Sequence, residues 1–160
     1  MKEMILTAKI EVYQLDELSE ENKILLDAAK KASASAYAPY SHFQVGCAVR
    51  LKSGSVITGN NQENAAYTAG LCAERVAINH AMAWYPDDPI ECIAIIAQIG
   101  GIWVKEVCTP CGECRQVMKE VELRIQHPIT MLLASATEVY KITGIETLLP
   151  FGFNASTLSL

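Results

Sequence analysis

The 160-residue sequence contains few basic side chains and no run of them. Lysine and arginine number 13 against 18 aspartates and glutamates, which gives a formal net charge of −5 at pH 7. A protein that binds a nucleic acid backbone needs a basic surface, because each phosphate contact requires a cation or a strong donor. The composition therefore predicts that nucleic acid is not a partner.

Long apolar stretches are also absent. No apolar run approaches the ~20 residues that span a bilayer. Residues 1–5 lack the apolar region and the cleavage site of a signal peptide. We therefore expect no membrane partner and a cytoplasmic location. In that reducing compartment the six cysteines are better interpreted as free thiols or metal ligands than as disulfides.

The remaining composition predicts one well-packed domain. Hydrophobic residues make up 51% of the chain and charged residues 19%, a balance that disfavours disorder. Residues 1–160 are few enough for a single core, and no linker or internal repeat divides them. We therefore expect a single domain with a full hydrophobic interior.

The apolar periodicity predicts helices that alternate with strands. Residues 5–12 alternate between apolar and polar side chains, which predicts a half-buried strand. Ser19 is suited to cap a helix, and Gly54 is suited to the turn of a hairpin. This order of elements predicts an α/β fold, a three-layer α/β/α domain with a mixed sheet of about five strands. The predicted elements are strands over residues 5–12, 43–51, 55–60, 90–99, 129–134 and 139–142, and helices that follow Ser19, Cys72 and Cys111.

Three cysteines have the spacing of a catalytic zinc site. Cys72 and Cys111 fall at predicted helix starts, where unpaired N–H groups and the helix dipole stabilise thiolates. Cys114 lies one turn beyond Cys111, on the same helix face. Three protein ligands leave a fourth position on zinc for water, and zinc lowers the pKa of that water. We therefore expect one Zn²⁺ per chain, with Glu74 placed to move protons beside it.

Alternative roles exist for several of these residues. Cys108 would complete a closed structural site of four thiolates, but such sites usually have two Cys-x-x-Cys pairs, and none lies near Cys72. Glu74 would be a solvated helix residue in most sequences, and its spacing from Cys72 favours catalysis here. Arg75 and Arg115 are candidates to offset the charge of the thiolates, with an ordinary surface role as the alternative for Arg115.

Cys-x-Glu followed by Pro-Cys-x-x-Cys resembles the signature of zinc-dependent deaminases. Further stretches make the match more specific, and the sequence is similar to cytidine deaminases of the small, homotetrameric, nucleoside-salvage type. The resemblance covers a motif-bearing core of about residues 36–153. Its motifs are residues 38–46, 61–67, 72–75 and 110–116.

The resemblance implies roles for several residues. Phe43 would pack against the pyrimidine, Asn61 and Glu63 would bind the sugar hydroxyls, and the backbone of Cys72 and Ala73 would contact the base edge. Ala65, Tyr67 and Phe153 are expected to reach the sites of neighbouring subunits in a homotetramer.

Three features depart from the family pattern or lie outside it. Gly152 stands where the family often has a serine before the aromatic residue. The apolar stretch 99–107 has no role implied by the resemblance. Residues 1–17 form an N-terminal strand extension beyond the core match, suited to assembly or to covering a sheet edge.

The implied function is zinc-dependent hydrolytic deamination of cytidine and 2′-deoxycytidine to uridine and 2′-deoxyuridine, with release of ammonia, in pyrimidine salvage. The alternatives are a deaminase of another aminated nucleoside or heterocycle and a non-catalytic zinc-binding interaction domain. Asn61 and Glu63 favour a nucleoside substrate, and Glu74 favours a catalyst over an interaction domain. The negative net charge disfavours an enzyme that edits RNA.

Overall fold

The computed structural model describes residues 1–158, apart from the side chain of Thr157. This part of the chain contains three α-helices and seven strands. The helices are α1 (Glu20–Ser33), α2 (Ala73–Trp84) and α3 (Gly112–Ile125). The strands are β1 (Glu11–Gln14), β2 (Phe43–Leu51), β3 (Val56–Asn60), β4 (Ile90–Ile99), β5 (Ile102–Trp103), β6 (Thr130–Ala134) and β7 (Glu138–Thr143).

The strands form one mixed sheet in the order β1-β7-β6-β4-β2-β3, with β5 paired to the end of β4. The β4–β6 pair is parallel, and the remaining pairs are antiparallel. The predicted α/β fold class with a mixed sheet is confirmed, although the sheet has seven strands where about five were expected. Within residues 1–158, no helix is both long enough and apolar enough to cross a membrane.

Alternate residues of the central strands contribute to two separate hydrophobic cores, one on each face of the sheet. In β4, Ile93 and Ile95 pack on the side of α2 and α3, while Ala94 and Ile96 pack on the side of α1. Period-two alternation in a sheet covered on both faces produces this arrangement. The three-layer architecture therefore follows from strands that are apolar at successive positions.

Two glycines allow helices to approach the sheet closely. A Cβ on Gly59 would lie 2.5 Å from the backbone nitrogen of Ala77 in α2, and one on Gly46 would lie 1.9 Å from the carbonyl oxygen of Ala29 in α1. No side chain fits at either distance. Gly59 consequently brings the first turns of α2 directly against β3, and this contact fixes the height of the α2 N-terminus above the sheet.

The predicted N-terminal strand is shorter than expected and shifted. The alternation predicted residues 5–12, but the strand spans Glu11–Gln14, paired from Glu11↔Lys141 to Gln14↔Glu138. A strand requires a hydrogen-bonding partner. Extended beyond Glu11, this register would place Ile10 and Lys9 opposite the last two residues of β7, and Gly144 with its φ of 81° then turns the chain away. Residues 1–8 therefore have no neighbouring strand within their own chain.

The stretch after β4, where the sequence predicted no helix or strand, turns back as a hairpin. Gly100 and Gly101 have φ angles of 58° and 82°, values that glycine adopts without strain. They return the chain so that Ile102 pairs with Ile99. The apolar side chains of this stretch are thereby held beside the start of β2.

Candidate active site

Three sulfur atoms meet where two helices begin. Cys72 is the N-cap residue of α2, Cys111 is the N-cap residue of α3, and Cys114 is in the first turn of α3. The Sγ–Sγ distance is 3.7 Å between Cys72 and Cys111 and 3.5 Å between Cys111 and Cys114. All three sulfurs lie within 4.8 Å of one another. The structure thus brings together the three cysteines expected to be ligands.

The sulfur spacing fits a tetrahedral zinc ion. With Zn–S bonds of about 2.3 Å, tetrahedral geometry places sulfur atoms about 3.8 Å apart. The two measured separations are close to that value. Cys108 is not part of this group among the described residues, and it packs against the core beneath α2 and α3. The donor set therefore comprises three thiols and leaves one tetrahedral position for another ligand.

The cluster favours a thiolate at Cys72. Hydrogen bonding with Cys114 lowers the pKa of Cys72 to about 5 against the opposing effect of burial, and Cys111 and Arg75 act in the same direction. The same hydrogen bond with Cys72 raises the pKa of Cys114, and burial raises it further. Since metals bind the thiolate, this lowering of the Cys72 pKa favours the form that a metal requires.

Arg75 lies beside the sulfurs as expected, and its guanidinium is fixed on two sides. Its Nη2 donates to the carbonyl oxygen of Gly70 at 3.0 Å and lies 3.2 Å from Glu113 Oε2. Its buried Nε has no hydrogen-bond partner among the described residues. A buried donor without a partner is costly, and metal-bound sulfur beside it would provide an acceptor. The unpaired Nε of Arg75 is therefore consistent with negatively charged sulfur at Cys72.

Arg115 has a different environment. Its Nε donates to the carbonyl oxygen of Pro110 at 2.9 Å, and its Nη1 donates to that of Leu148 at 3.1 Å. These bonds tie the residue before Cys111 to the C-terminal segment. Arg115 therefore fixes the backbone beside Cys111. Neither of its expected roles, offsetting the charge of the thiolates or lying on the surface, included this contact.

Glu74 is buried directly beside the sulfurs. It follows Ala73 in the first turn of α2 and is only 4% exposed. Burial raises its pKa to about 7, and the charge of Cys72 acts in the same direction. A carboxyl group that titrates near neutral pH is suited to accept and return protons.

Asn61 and Glu63 hold the segments around the start of β2. Asn61 Oδ1 accepts from the Val45 N–H at 2.8 Å, and its Nδ2 donates to the Phe43 carbonyl oxygen at 2.9 Å. Glu63 accepts from the Tyr40 N–H at 2.9 Å.

A neighbouring serine binds the same carboxylate. Both the backbone N–H and the hydroxyl of Ser41 donate to Glu63, and the hydroxyl bond is the main cause of the lowered pKa of Glu63. Asn61 retains a second amide hydrogen, and Glu63 retains further lone pairs. Both residues can therefore still bind a ligand.

Two cavities flank these groups. A cavity of about 310 Å³ adjoins the three clustered cysteines. A larger apolar cavity of about 670 Å³ is lined by Phe43 and by the β4–β5 hairpin. Lining residues of the first cavity include Asn61, Glu63, Tyr67, Cys72, Arg75 and Glu113, and those of the second include Phe43, Ile102, Trp103, Val107, Cys108 and Thr109.

The residues expected to serve neighbouring subunits lie on the surface of this chain. Ala65 and Tyr67 are exposed, and Phe153 is 57% exposed. The Phe153 carbonyl oxygen accepts from Gln116 Nε2 in α3 at 2.9 Å. A Cβ at Gly152 would lie 2.8 Å from Leu149 Cδ2. Glycine at this position therefore lets the segment before Phe153 pack against Leu149.

Sequence reasoning missed two residues that organise the site. Glu113 forms the ion pair with Arg75, and its location between Cys111 and Cys114 was the available signal. Ser41 binds Glu63 and also accepts from the Phe43 N–H at 3.0 Å. It lies in a motif already noted at residues 38–46, although its partner is more than twenty positions away.

Comparison with known proteins agrees with this geometry. A family model described as "Cytidine and deoxycytidylate deaminase zinc-binding region" matches residues 19–129. Cytidine deaminase of Halalkalibacterium halodurans is 44% identical over 101 residues, which are 63% of this chain and 72% of that protein. Cytidine deaminase of Sporosarcina psychrophila is 33% identical over 138 residues, which are 84% of this chain and 93% of that protein.

A solved structure extends the similarity to the fold. The crystal structure of cytidine deaminase from Burkholderia pseudomallei has 35% sequence identity and a TM-score of 0.70, and the match covers 85% of this chain and 100% of that chain. The matched region contains the three clustered sulfurs and the buried Glu74. The chain therefore belongs to the cytidine and deoxycytidylate deaminase family and is a hydrolase of the cytidine deaminase type.

Proposed function

We propose that this protein hydrolyses cytidine and 2′-deoxycytidine to uridine and 2′-deoxyuridine with release of ammonia, as a zinc enzyme of cytoplasmic pyrimidine salvage. The observation that carries the proposal is the buried Glu74, 4% exposed, two residues from Cys72 in a cluster of three sulfurs. The relatives named cytidine deaminase support the choice of substrate.

Cys72, Cys111 and Cys114 would hold the metal. Bound zinc lowers the pKa of a water molecule at its open position. In the overall reaction, water adds oxygen to C4 of the pyrimidine, and the bond from C4 to the exocyclic nitrogen breaks. Glu74 accepts a proton from the attacking water and delivers it to ring N3, and it then accepts the proton of the new C4 hydroxyl and delivers it to the leaving nitrogen. Its pKa of about 7 suits transfer in both directions.

Other residues of the chain would position the nucleoside. Ala73 is the first residue of α2, so its N–H has no partner within the helix and is free to donate to the base. Asn61 and Glu63 would bind the sugar hydroxyls beside the cluster. Phe43 would pack against the pyrimidine, and its backbone is held by the Asn61 amide.

Ammonia release from several substrates tests this function directly. Zinc-loaded protein is expected to act on cytidine and 2′-deoxycytidine and to leave cytosine, adenosine and guanine nearly unchanged. Activity confined to another of these compounds would replace cytidine as the substrate. An absence of ammonia from all of them, with zinc bound, would contradict the proposed activity.

Removal of the sugar-binding groups should reduce nucleoside turnover. We expect Asn61→Ala and Glu63→Ala each to lower kcat/KM for cytidine roughly 10- to 100-fold, the usual effect of losing a hydrogen bond to a charged or buried group. Asn61→Ala should also lower the melting temperature, because it breaks two bonds to the β2 backbone. Steady-state kinetics and thermal unfolding measure these effects.

Glu20→Ala is the control, since Glu20 is 84% exposed in its side chain, lines neither cavity and pairs with Lys23 at 3.0 Å at the start of α1. It should leave kcat/KM within about twofold, as is usual for a surface substitution away from the chemistry. If the native protein deaminated free cytosine as fast as cytidine, the sugar-binding assignment would fail.

We also infer a homotetramer with sites completed by neighbouring chains. Exposed Phe153 at the end of the family core is the group expected to reach an adjacent site and close over the base. Phe153→Ala should lower activity about 2- to 10-fold while each chain keeps its zinc, in line with ~0.5–1.5 kcal/mol for aromatic packing.

Phe151→Ala is the control, because Phe151 is 78% exposed and lies two residues away. Sedimentation at the assay concentration supplies the second measurement. A monomer with full activity would rule out the shared site.

A further inference from the structure

The N-terminal segment has the sequence pattern of a strand but does not pair with another strand. Residues 5–12 alternate between apolar and polar side chains, yet residues 1–10 lie outside any strand and are exposed. Strand β1 continues from this segment and forms one edge of the sheet. Unpaired N–H and C=O groups on such an edge are a template for another strand.

The apolar side chains of this segment are unusually exposed. Exposure reaches 82% for Ile5, 56% for Leu6, 42% for Ile10 and 55% for Val12. The first three of these residues continue the strand-like pattern before β1, where residues 6–8 run beside residues 146–150 of the same chain without pairing to a strand. An edge that projects large apolar side chains favours pairing with a further strand.

The charges in this segment are complementary to themselves. Lys9 and Glu11 flank Ile10 and lie on the same side of the chain, with Lys9 Nζ 3.4 Å from Glu11 Oε1. In an antiparallel pair centred on Ile10, Lys9 of one copy lies opposite Glu11 of the other, and the reverse pair forms at the same time. Cross-strand pairs of opposite charge stabilise a sheet.

We propose that residues 7–13 bind a second copy of this chain by antiparallel strand pairing about a two-fold axis through Ile10. Ala8 then lies opposite Val12, and Ile10 opposite Ile10, so the apolar side chains of both copies share one face. Thr7 lies opposite Tyr13 on the other face. The sheet then continues from one chain into the next, and the free edge of β1 in each copy gains a hydrogen-bonding partner.

This contact is self-complementary, as a two-fold interface must be. It lies outside residues 19–129, the region of the family match, and none of its residues belongs to the sulfur cluster. The proposal therefore stands independently of the proposed catalytic function. The competing outcome is an unpaired edge that Lys9 and Glu11 protect by their charge.

Cysteine cross-linking locates the axis. In the proposed pair the two Ile10 Cα atoms are about 4.5–5.5 Å apart, within disulfide range. Ile10→Cys should therefore form a disulfide-linked dimer under mild oxidation. Thr7→Cys is the control, because residue 7 lies six positions along the partner strand from its own copy, about 20 Å away. The parent chain, which carries only its own six cysteines, is the negative control for cross-linking through those residues.

On a denaturing gel, a disulfide-linked dimer from Ile10→Cys and unlinked chains from Thr7→Cys are the expected result. Equal cross-linking of both variants would contradict the register, and no cross-linking of Ile10→Cys would contradict the contact.

Charge reversal tests the same contact without new thiols. Lys9 is 87% exposed in its side chain, so Lys9→Glu should leave the fold intact while placing two carboxylates opposite each other on both sides of the axis. Because other contacts also hold chains together in the proposed homotetramer, we expect this variant to form a smaller assembly than the parent at the same concentration and low salt. Glu11→Lys should do the same, although it also loses the 3.1 Å contact with Lys141.

A mixture of the two variants provides the decisive comparison. One copy of each restores opposite charges across both pairs, so sedimentation should show that the mixture regains the parent's association. Unchanged association of both single variants, or no recovery in the mixture, would overturn the proposal.

Discussion

Glu74→Gln is expected to retain zinc and fold while losing most of the turnover. The amide has nearly the same size and occupies the same buried position, so the core around α2 should be preserved. It cannot accept and return protons, and loss of a general acid–base group typically costs ~10²–10⁴-fold. The loss should reach the upper end of that range, because Glu74 serves several proton transfers. Ammonia release by the zinc-loaded variant measures it.

Another acid provides the control. Glu120 is exposed on α3, the helix that carries Cys114, and lines neither cavity. Glu120→Gln should leave turnover within about twofold, as is usual for a surface substitution away from the chemistry. Turnover at the parent's rate by zinc-loaded Glu74→Gln would remove Glu74 from the mechanism.

Local patterns were sufficient to predict several elements. Ser19 precedes α1 as its N-cap, Gly54 adopts a φ of 88° in the β2–β3 turn, and Cys72 and Cys111 are N-cap residues. Each of these depends on residues within one turn in sequence. The same holds for β4, whose continuous apolar run marks burial on both faces.

Features that depend on distant partners could not be predicted. The position of β1 depends on its pairing with β7, more than a hundred residues away. The two hydrogen bonds from Asn61 to β2 and the contacts of Arg115 with Pro110 and Leu148 likewise require the folded chain. A single sequence indicates that such polar groups need partners but not which groups supply them.

Loss of any one of the three clustered sulfurs should abolish zinc binding and with it the activity. Cys72→Ala, Cys111→Ala and Cys114→Ala should each reduce the zinc content from one per chain toward zero. Two thiolates provide too few protein ligands for a stable site. Cys111 offers the cleanest test, because its side chain is exposed whereas Cys114 is fully buried. Replacement of Cys114 would also leave a cavity in the core.

Cys108→Ala separates metal loss from the general effect of removing a thiol. Cys108 lies three residues before Cys111 but packs into the core, where burial raises its pKa to about 12. A thiol that remains protonated is a poor ligand, so this variant should keep one zinc per chain and most of its turnover. Elemental analysis of the purified variants measures the zinc content. Full zinc in Cys111→Ala with zinc lost from Cys108→Ala would overturn the ligand assignment.

The stability of the same variants should follow their metal content. A ligand bound only by the folded state stabilises it by about 4 kcal/mol at a free concentration 1,000 times Kd. A chelator should therefore lower the melting temperature of the parent and of Cys108→Ala. It should have no further effect on Cys111→Ala, which has already lost the metal. Equal destabilisation of all three proteins by the chelator would show that the metal is bound elsewhere in the chain, and the three sulfurs would then have only a structural role.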